Sequence, residues 1–145
     1  MTGYRPKHFK IEELVPRAQY NALDGSVLWN LLDPRILRAA DSLRDRYGAM
    51  LCNTWLFGGD TQYRGWRPQV SVGARYSQHR FGRALDLIPK HATAEEIRVD
   101  LRHFYKGRDP LDGRNHITRV ELNVDWLHID CANIWPGDTI YFFHP

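Results

Sequence analysis

The chain has 145 residues, of which 43% are hydrophobic, so it is long enough for one buried core and too short for two ordinary domains. We therefore expect a single domain over residues 1–145. Its 20 basic and 17 acidic residues give a net charge of +3, and the basic residues are spread along the chain instead of forming a run. This distribution disfavours a nucleic-acid-binding protein.

Cysteine content and apolar stretches indicate the compartment. Cys52 and Cys131 are too few and too far apart in sequence for a disulfide framework or a CxxC metal site, so reduced thiols are expected. Residues 1–10 are polar and basic with no apolar stretch after them, and no later stretch approaches the roughly 18 apolar residues of a membrane span. We expect a cytoplasmic protein as synthesised, a monomer, with no membrane or nucleic-acid partner.

The first third of the chain contains one strong helical pattern. An apolar cluster over residues 9–15, ended by Pro16, predicts one helical turn followed by an extended segment. Asp24-Gly25 predicts a turn. Over residues 34–47, apolar side chains recur at helical spacing, and the Asp-Pro pair at the start can cap the first turn. We expect this helix to be the core helix.

The rest of the chain shows mainly strand patterns. Thr93 and Glu96 form a capping box that opens a second helix, and a polar loop rich in aromatic residues covers 58–75. Short runs of β-prone residues predict five strands, at residues 50–57, 84–88, 117–122, 126–131 and 139–143. The order of these elements predicts an α+β fold with a small, mostly antiparallel sheet and flanking helices.

Residues 76–88 carry the first half of a candidate metal site. His79 and Asp86 stand seven residues apart across Gly82, which permits a close approach of backbone. Asp86 is the only charge in an apolar run, and burying a carboxylate without a partner is costly. A cation shared with His79 is one candidate for that partner.

The second half lies downstream, at residues 124–130, where His128 occupies another apolar run with carboxylates on either side. His79, Asp86 and His128 together offer three ligands of mixed nitrogen and oxygen type. This is the pattern of a catalytic zinc ion with a fourth position open to water, so one Zn²⁺ is expected. Four other histidines match no ligand spacing and are expected to be non-ligands: His91, His103, His116 and His144.

These residues carry a resemblance to a known family. Ser77-x-His79-x-x-Gly82-x-Ala84-x-Asp86 matches the SxHxxGxAxD signature of the M15 peptidases at every fixed position. That family includes D-alanyl-D-alanine carboxypeptidases, vancomycin-resistance D,D-dipeptidases and phage L-alanyl-D-glutamate endolysins. Gly65-Trp66-Arg67 resembles the GYR element of the family, and residues 8–15 resemble the opening of its phage and bacterial subgroup. The resemblance spans nearly the whole chain.

The resemblance implies an M15 or Hedgehog N-terminal-like fold and a zinc-dependent peptidase. Its substrate would be a peptide bond in peptidoglycan stem peptides, and its role that of a phage lysin or a cell-wall remodelling enzyme. The zinc ligands would be His79, Asp86 and His128. Arg67 would hold the substrate or the oxygen of the tetrahedral intermediate, because a guanidinium fork suits such groups, and Arg64 could compete for that role.

Two carboxylates compete for the role of general base. Asp125 stands three residues before His128, which resembles the acidic-x-x-His element of the family, and is the first choice. Glu121 would pair directly opposite His128 in a hairpin whose two-residue loop is 124–125. Asp130 lies two residues after His128, so the two side chains point to the same face of the strand. Asp130 is expected to orient an imidazole instead of acting as the base.

Two other functions fit the same residues. A catalytically inactive M15-fold module would keep the zinc ion without turnover, as a wall-binding or virion structural protein. A small nucleic-acid-binding protein would use Trp55, Trp66 and basic residues, and would show strongly salt-dependent binding of DNA.

Overall fold

The computed structural model describes residues 3–69, 73–135 and 137–145. The helices in this part of the chain are α1 (Arg17–Ala22), α2 (Gly25–Asn30), α3 (Pro34–Tyr47) and α4 (Ala94–Arg102). The strands are β1 (Met50–Leu51), β2 (Ala84–Pro89), β3 (Arg119–Glu121), β4 (Leu127–Asp130) and β5 (Tyr141–Phe143). Short 3-10 turns lie at Ile11–Glu13, Trp55–Phe57, Gln78–Phe81 and Gly113–His116. None of the described helices is long and apolar enough to cross a membrane.

The five strands form one sheet in the order β1-β2-β4-β3-β5. Every neighbouring pair is antiparallel except β3 and β5, which run parallel. The predicted α+β class with a mostly antiparallel sheet is therefore confirmed, and so is the predicted hairpin of β3 and β4. The central pair, β2 and β4, aligns Asp86 with His128.

The two faces of the sheet have different roles, because successive side chains on a strand point to opposite faces. One face packs into the apolar core with residues of α3 and α4, and its fully buried side chains are Leu85, Leu87, Val120, Leu127 and Ile129. Five of the residues that alternate with them are polar: Asp86, Arg119, Glu121, His128 and Asp130. The candidate site therefore lies on the face opposite the core.

Helix α3 is the core helix that the periodicity predicted, with the predicted bounds. Asp33 caps its start by accepting a hydrogen bond from the backbone N–H of Arg35 at 2.9 Å, and Gly48 ends it with a φ of 83°. Its apolar face is almost completely buried and consists of Ile36, Leu37, Ala39, Ala40 and Leu43. Helix α4 opens with the predicted capping box, in which Thr93 and Glu96 exchange hydrogen bonds.

Two predicted elements are wrong. The segment after Pro16 is helical, not extended: Pro16 and Asp24 are the residues that precede α1 and α2. These helices have only six residues each, too few for a periodic pattern to be visible. The strand predicted at 50–57 pairs only at β1, because the backbone N–H of Asn53 turns away to donate to Glu13 O at 2.9 Å.

The turn at Gln78–Phe81 is held against the start of α3 through Gly82. The backbone N–H of Asp33 donates to the carbonyl oxygen of Gly82 at 2.8 Å. Gly82 has a φ of 67°, and a Cβ at this position would collide with the backbone carbonyl of Leu31. Only glycine combines this conformation with this contact, so the glycine of the motif positions His79 relative to the core helix.

Candidate metal centre

Strand pairing and one turn bring the three predicted ligands together. Asp86 on β2 lies directly opposite His128 on β4, and His79 reaches the same point from the turn before β2. His128 Nδ1 lies 2.8 Å and His79 Nε2 lies 3.3 Å from Asp86 Oδ1. One ligand atom from each residue lies within 4.8 Å of the other two. These three buried side chains form a group that could hold a metal ion.

The spacing of the ligand atoms suits an ion with short bonds. Nitrogen and oxygen ligands bound tetrahedrally at about 2.0–2.2 Å lie roughly 3.3–3.6 Å from one another. The 3.3 Å between His79 and Asp86 already has this value. The 2.8 Å between His128 and Asp86 is a hydrogen-bond length, and an opening of about 0.5 Å would bring it into the same range.

Each imidazole is oriented by a hydrogen bond on its other nitrogen. His79 Nδ1 lies 2.8 Å from the carbonyl oxygen of Gly65, so this nitrogen donates and Nε2 is the free ligand. His128 Nε2 lies 3.0 Å from Asp130 Oδ2, so here Nδ1 is the free ligand. Partners of this kind fix the ring and its tautomer at metal sites. The arrangement therefore turns the remaining nitrogen of each ring, His79 Nε2 and His128 Nδ1, towards the same point beside Asp86.

Asp130 is itself held by a second layer of contacts. Its carboxylate is fully buried, and Arg119 binds it through two nitrogens, with Nη2 2.8 Å from Oδ2 and Nε 3.0 Å from Oδ1. The backbone N–H of Ala132 donates to the same Oδ1 at 3.1 Å. The ion pair compensates the buried charge, so the acceptor for His128 stays ionised and fixed.

The charges of the cluster are strongly coupled. Burial favours the neutral form of Asp86, but hydrogen bonds from His128 and His79 outweigh burial and hold its pKa below the usual range. Burial disfavours the cationic form of His128, but hydrogen bonds to Asp130 and Asp86 outweigh it and raise its pKa to about 9. The surrounding carboxylates thus stabilise positive charge on the His128 ring.

The two arginines proposed from sequence have different positions. Arg67 lines the cleft beside the cluster, and its Nη2 lies 3.2 Å from Asp86 Oδ2 while its Nε donates to the carbonyl of Tyr63 at 2.5 Å. Arg64 donates to the carbonyl oxygen of Cys52 at 3.2 Å and does not line the cleft. Arg67 is therefore the arginine that the fold brings to the ligands.

The two candidate bases are also separated by the fold. The register of β3 and β4, continued by one residue, sets Glu121 opposite His128, and Glu121 Oε2 lies 3.8 Å from His128 Nδ1. Asp125 is exposed in the turn between the strands and is not among the residues that line the cleft. Asp125 lies three residues before His128, so in a regular strand its side chain would point to the opposite face of the sheet.

An open cleft of about 540 Å³ leads to the three ligands. Its aromatic wall includes Trp126 and Phe143, and the Phe143 ring packs edge-on against His128 with centroids 5.8 Å apart. The guanidinium of Arg119 lies 4.4 Å from the centre of the same Phe143 ring. The arrangement leaves the ligand cluster accessible from one side, as a metal centre that acts on a bound molecule requires.

Three of these residues were missed by reasoning from sequence. Arg119 and Glu121 are two residues apart on one strand, so their side chains point to the same face of the sheet. This pattern could have placed Arg119 at the site. Phe143 arrives through the parallel pairing of β5 with β3, for which local sequence carries no indication. The acceptor for His79 is the backbone carbonyl of Gly65, and a backbone group leaves no mark in the sequence.

No protein-family model matches the chain, and no curated protein or solved structure matches it either. The site itself consists of three converging candidate ligand atoms, two oriented rings and an adjacent carboxylate.

Proposed function

We propose that the protein is a zinc-dependent peptidase that hydrolyses a peptide bond in peptidoglycan stem peptides, as a phage lysin or a cell-wall remodelling enzyme. The observation that carries the proposal is the convergence of His79, Asp86 and His128 at an open cleft, with Glu121 beside them. The resemblance of the motif at residues 77–86 to the M15 peptidases supplies the reaction and the substrate.

Zinc is the metal that the ligand set favours. Two imidazole nitrogens and one carboxylate oxygen form a catalytic zinc set with one position left for water or substrate. Both cysteines are buried and unpaired, and neither belongs to the ligand group. When bound, zinc supplies Lewis acidity and a water whose pKa falls towards about 7.

Glu121 is assigned the role of general base, in place of Asp125. Its Oε2 lies 3.8 Å from the ligand nitrogen of His128 and faces the cleft. A carboxylate this close to the cluster would accept a hydrogen bond, at about 2.6–3.2 Å, from a water bound there. Glu121 would take a proton from that water at Oε2 and pass it to the nitrogen of the leaving amine.

Arg67 is assigned two tasks. One N–H already contacts Asp86 Oδ2 and keeps that carboxylate oriented with its other oxygen towards the cluster. The remaining donors of its fork would stabilise the oxygen that becomes negative when the peptide carbonyl is attacked. Trp126 and Phe143 would cover the reacting bond and keep bulk water from it.

The experiment that tests the proposal is digestion of purified peptidoglycan, followed by liquid chromatography and mass spectrometry. Zinc-loaded protein should release peptide fragments whose masses identify the cleaved bond. Protein stripped by a chelator should release none, and added zinc should restore release. Zinc-loaded protein that yields no fragment would contradict peptidase activity and favour a zinc-binding module without turnover.

A further inference from the structure

The cleft contains three arginines, and two of them are neutralised within the protein. Arg67 pairs with Asp86 at 3.2 Å, and Arg119 pairs with Asp130 at 2.8 Å. Arg75 also lines the cleft, yet none of the ion pairs within the described residues involves it. Its guanidinium instead lies 5.5 Å from the centre of the Tyr76 ring. Arg75 is thus a cleft cation without an acidic partner in the described part of the chain.

The backbone holds Arg75 close to the metal ligands. The N–H of Ser77 donates to the carbonyl of Ala74 at 3.1 Å and closes a turn with Arg75 and Tyr76 at its centre. Ser77 Oγ in turn accepts from the backbone N–H of His79 at 3.3 Å. Arg75 precedes His79 by four positions, so their Cα atoms lie within about 14 Å of each other. A molecule bound at the ligand cluster is therefore within reach of Arg75.

We propose that Arg75 is a specificity-determining residue that binds a free carboxylate of the substrate beside the scissile bond. The proposal rests on the peptidase function above and narrows its substrate to acidic peptides. An arginine fork matches a carboxylate with two parallel N–H donors. With a divalent ion bound, the site carries an excess of positive charge, since the ion and the three arginines outweigh the carboxylates of Asp86, Glu121 and Asp130.

The test compares two forms of one stem peptide, the first with its carboxylate free beside the cleaved bond and the second with that group amidated. For Arg75→Gln, KM for the acidic form should rise about 3- to 10-fold, while kcat changes less than about twofold. KM for the amidated form should not change. Arg75→Lys keeps the positive charge but lacks the guanidinium fork. Its KM for the acidic form should lie between the values of Arg75→Gln and the unmodified protein.

Arg108→Gln is the matched control, because Arg108 is an exposed arginine that does not line the cleft. It should leave both KM values unchanged. Equal changes for the acidic and amidated peptides in Arg75→Gln, or no change for the acidic one, would overturn the proposal.

If neither peptide is cleaved, the peptidase function is refuted. The carboxylate site is then tested by a binding measurement. Calorimetric titration of the zinc-loaded protein should then show tighter binding of the acidic peptide than of the amidated one. Arg75→Gln should lose that preference. The absence of any preference in the unmodified protein would overturn the assignment of Arg75 independently of catalysis.

Discussion

Replacement of Glu121 by glutamine is the substitution that examines the proposed chemistry most closely. Glu121 Oε2 lies 3.8 Å from His128 Nδ1, but Glu121 is outside the group of three residues whose ligand atoms converge. Its carboxylate is near enough to the cluster to accept a proton from a water bound there. Glutamine keeps the shape of the side chain and removes its basicity.

The expected loss in kcat is a factor of about 100 to 10,000, which corresponds to roughly 3–5 kcal/mol of transition-state stabilisation. Zinc content should stay near one equivalent, because no ligand is changed. The assay is the release of peptide from one peptidoglycan substrate, with elemental analysis of the same preparation.

Asp125→Asn is the matched control, since it makes the same chemical change at an exposed position outside the cleft. Its activity should stay within about twofold of the unmodified protein. An active Glu121→Gln together with an inactive Asp125→Asn would refute the argument from geometry and return the role of base to Asp125. Full activity in both variants would leave the mechanism without a base.

Three further predictions concern the metal and the fold. Asp130→Asn should weaken zinc binding about 10- to 100-fold, because the His128 ring loses its anionic partner; competition with a chromogenic chelator measures this, and an unchanged affinity would contradict it. In metal-stripped protein the pKa of His128 is about 9, so zinc uptake at pH 7 should release about one proton and zinc affinity should fall as the pH is lowered below 9. Calorimetry in buffers of different ionisation enthalpy detects that proton, and a heat independent of buffer would count against it. Gly82→Ala should lower the free energy of unfolding by about 2–4 kcal/mol, because of its positive φ and the collision with Leu31. Gly25→Ala, where a Cβ meets nothing within 4 Å, should change it by less than about 1 kcal/mol, and equal losses in urea denaturation would refute the reasoning.

Local patterns predicted those parts of the fold whose stabilisation is local. Helix α3 has a cap, fourteen residues and a continuous apolar stripe, and its predicted bounds are confirmed. The capping box of α4 and the hairpin of β3 and β4 were likewise visible. Helices α1 and α2 are too short to show a period; Leu28 of α2 is buried in the core, and Tyr20 of α1 is half-buried against it.

The candidate site depended more on contacts distant in sequence. The spacing of His79 and Asp86 and the apolar run around His128 were sufficient to predict the three residues that the fold brings together. The choice between Glu121 and Asp125 required the strand register, because a shift of one residue exchanges the two faces of a strand. Phe143 required the sheet order, which places β5 beside β3, whereas the two-residue spacing of Arg119 and Glu121 on one strand could have placed Arg119.

The central claim is that His79, Asp86 and His128 bind one zinc ion. The most direct test is the zinc content of the purified protein by elemental analysis, for the unmodified chain, for His79→Ala and His128→Ala, and for His103→Ala as an exposed non-ligand control. We expect about one equivalent in the unmodified protein and in His103→Ala, and close to none in the other two variants. Full zinc retention in either His79→Ala or His128→Ala would contradict it.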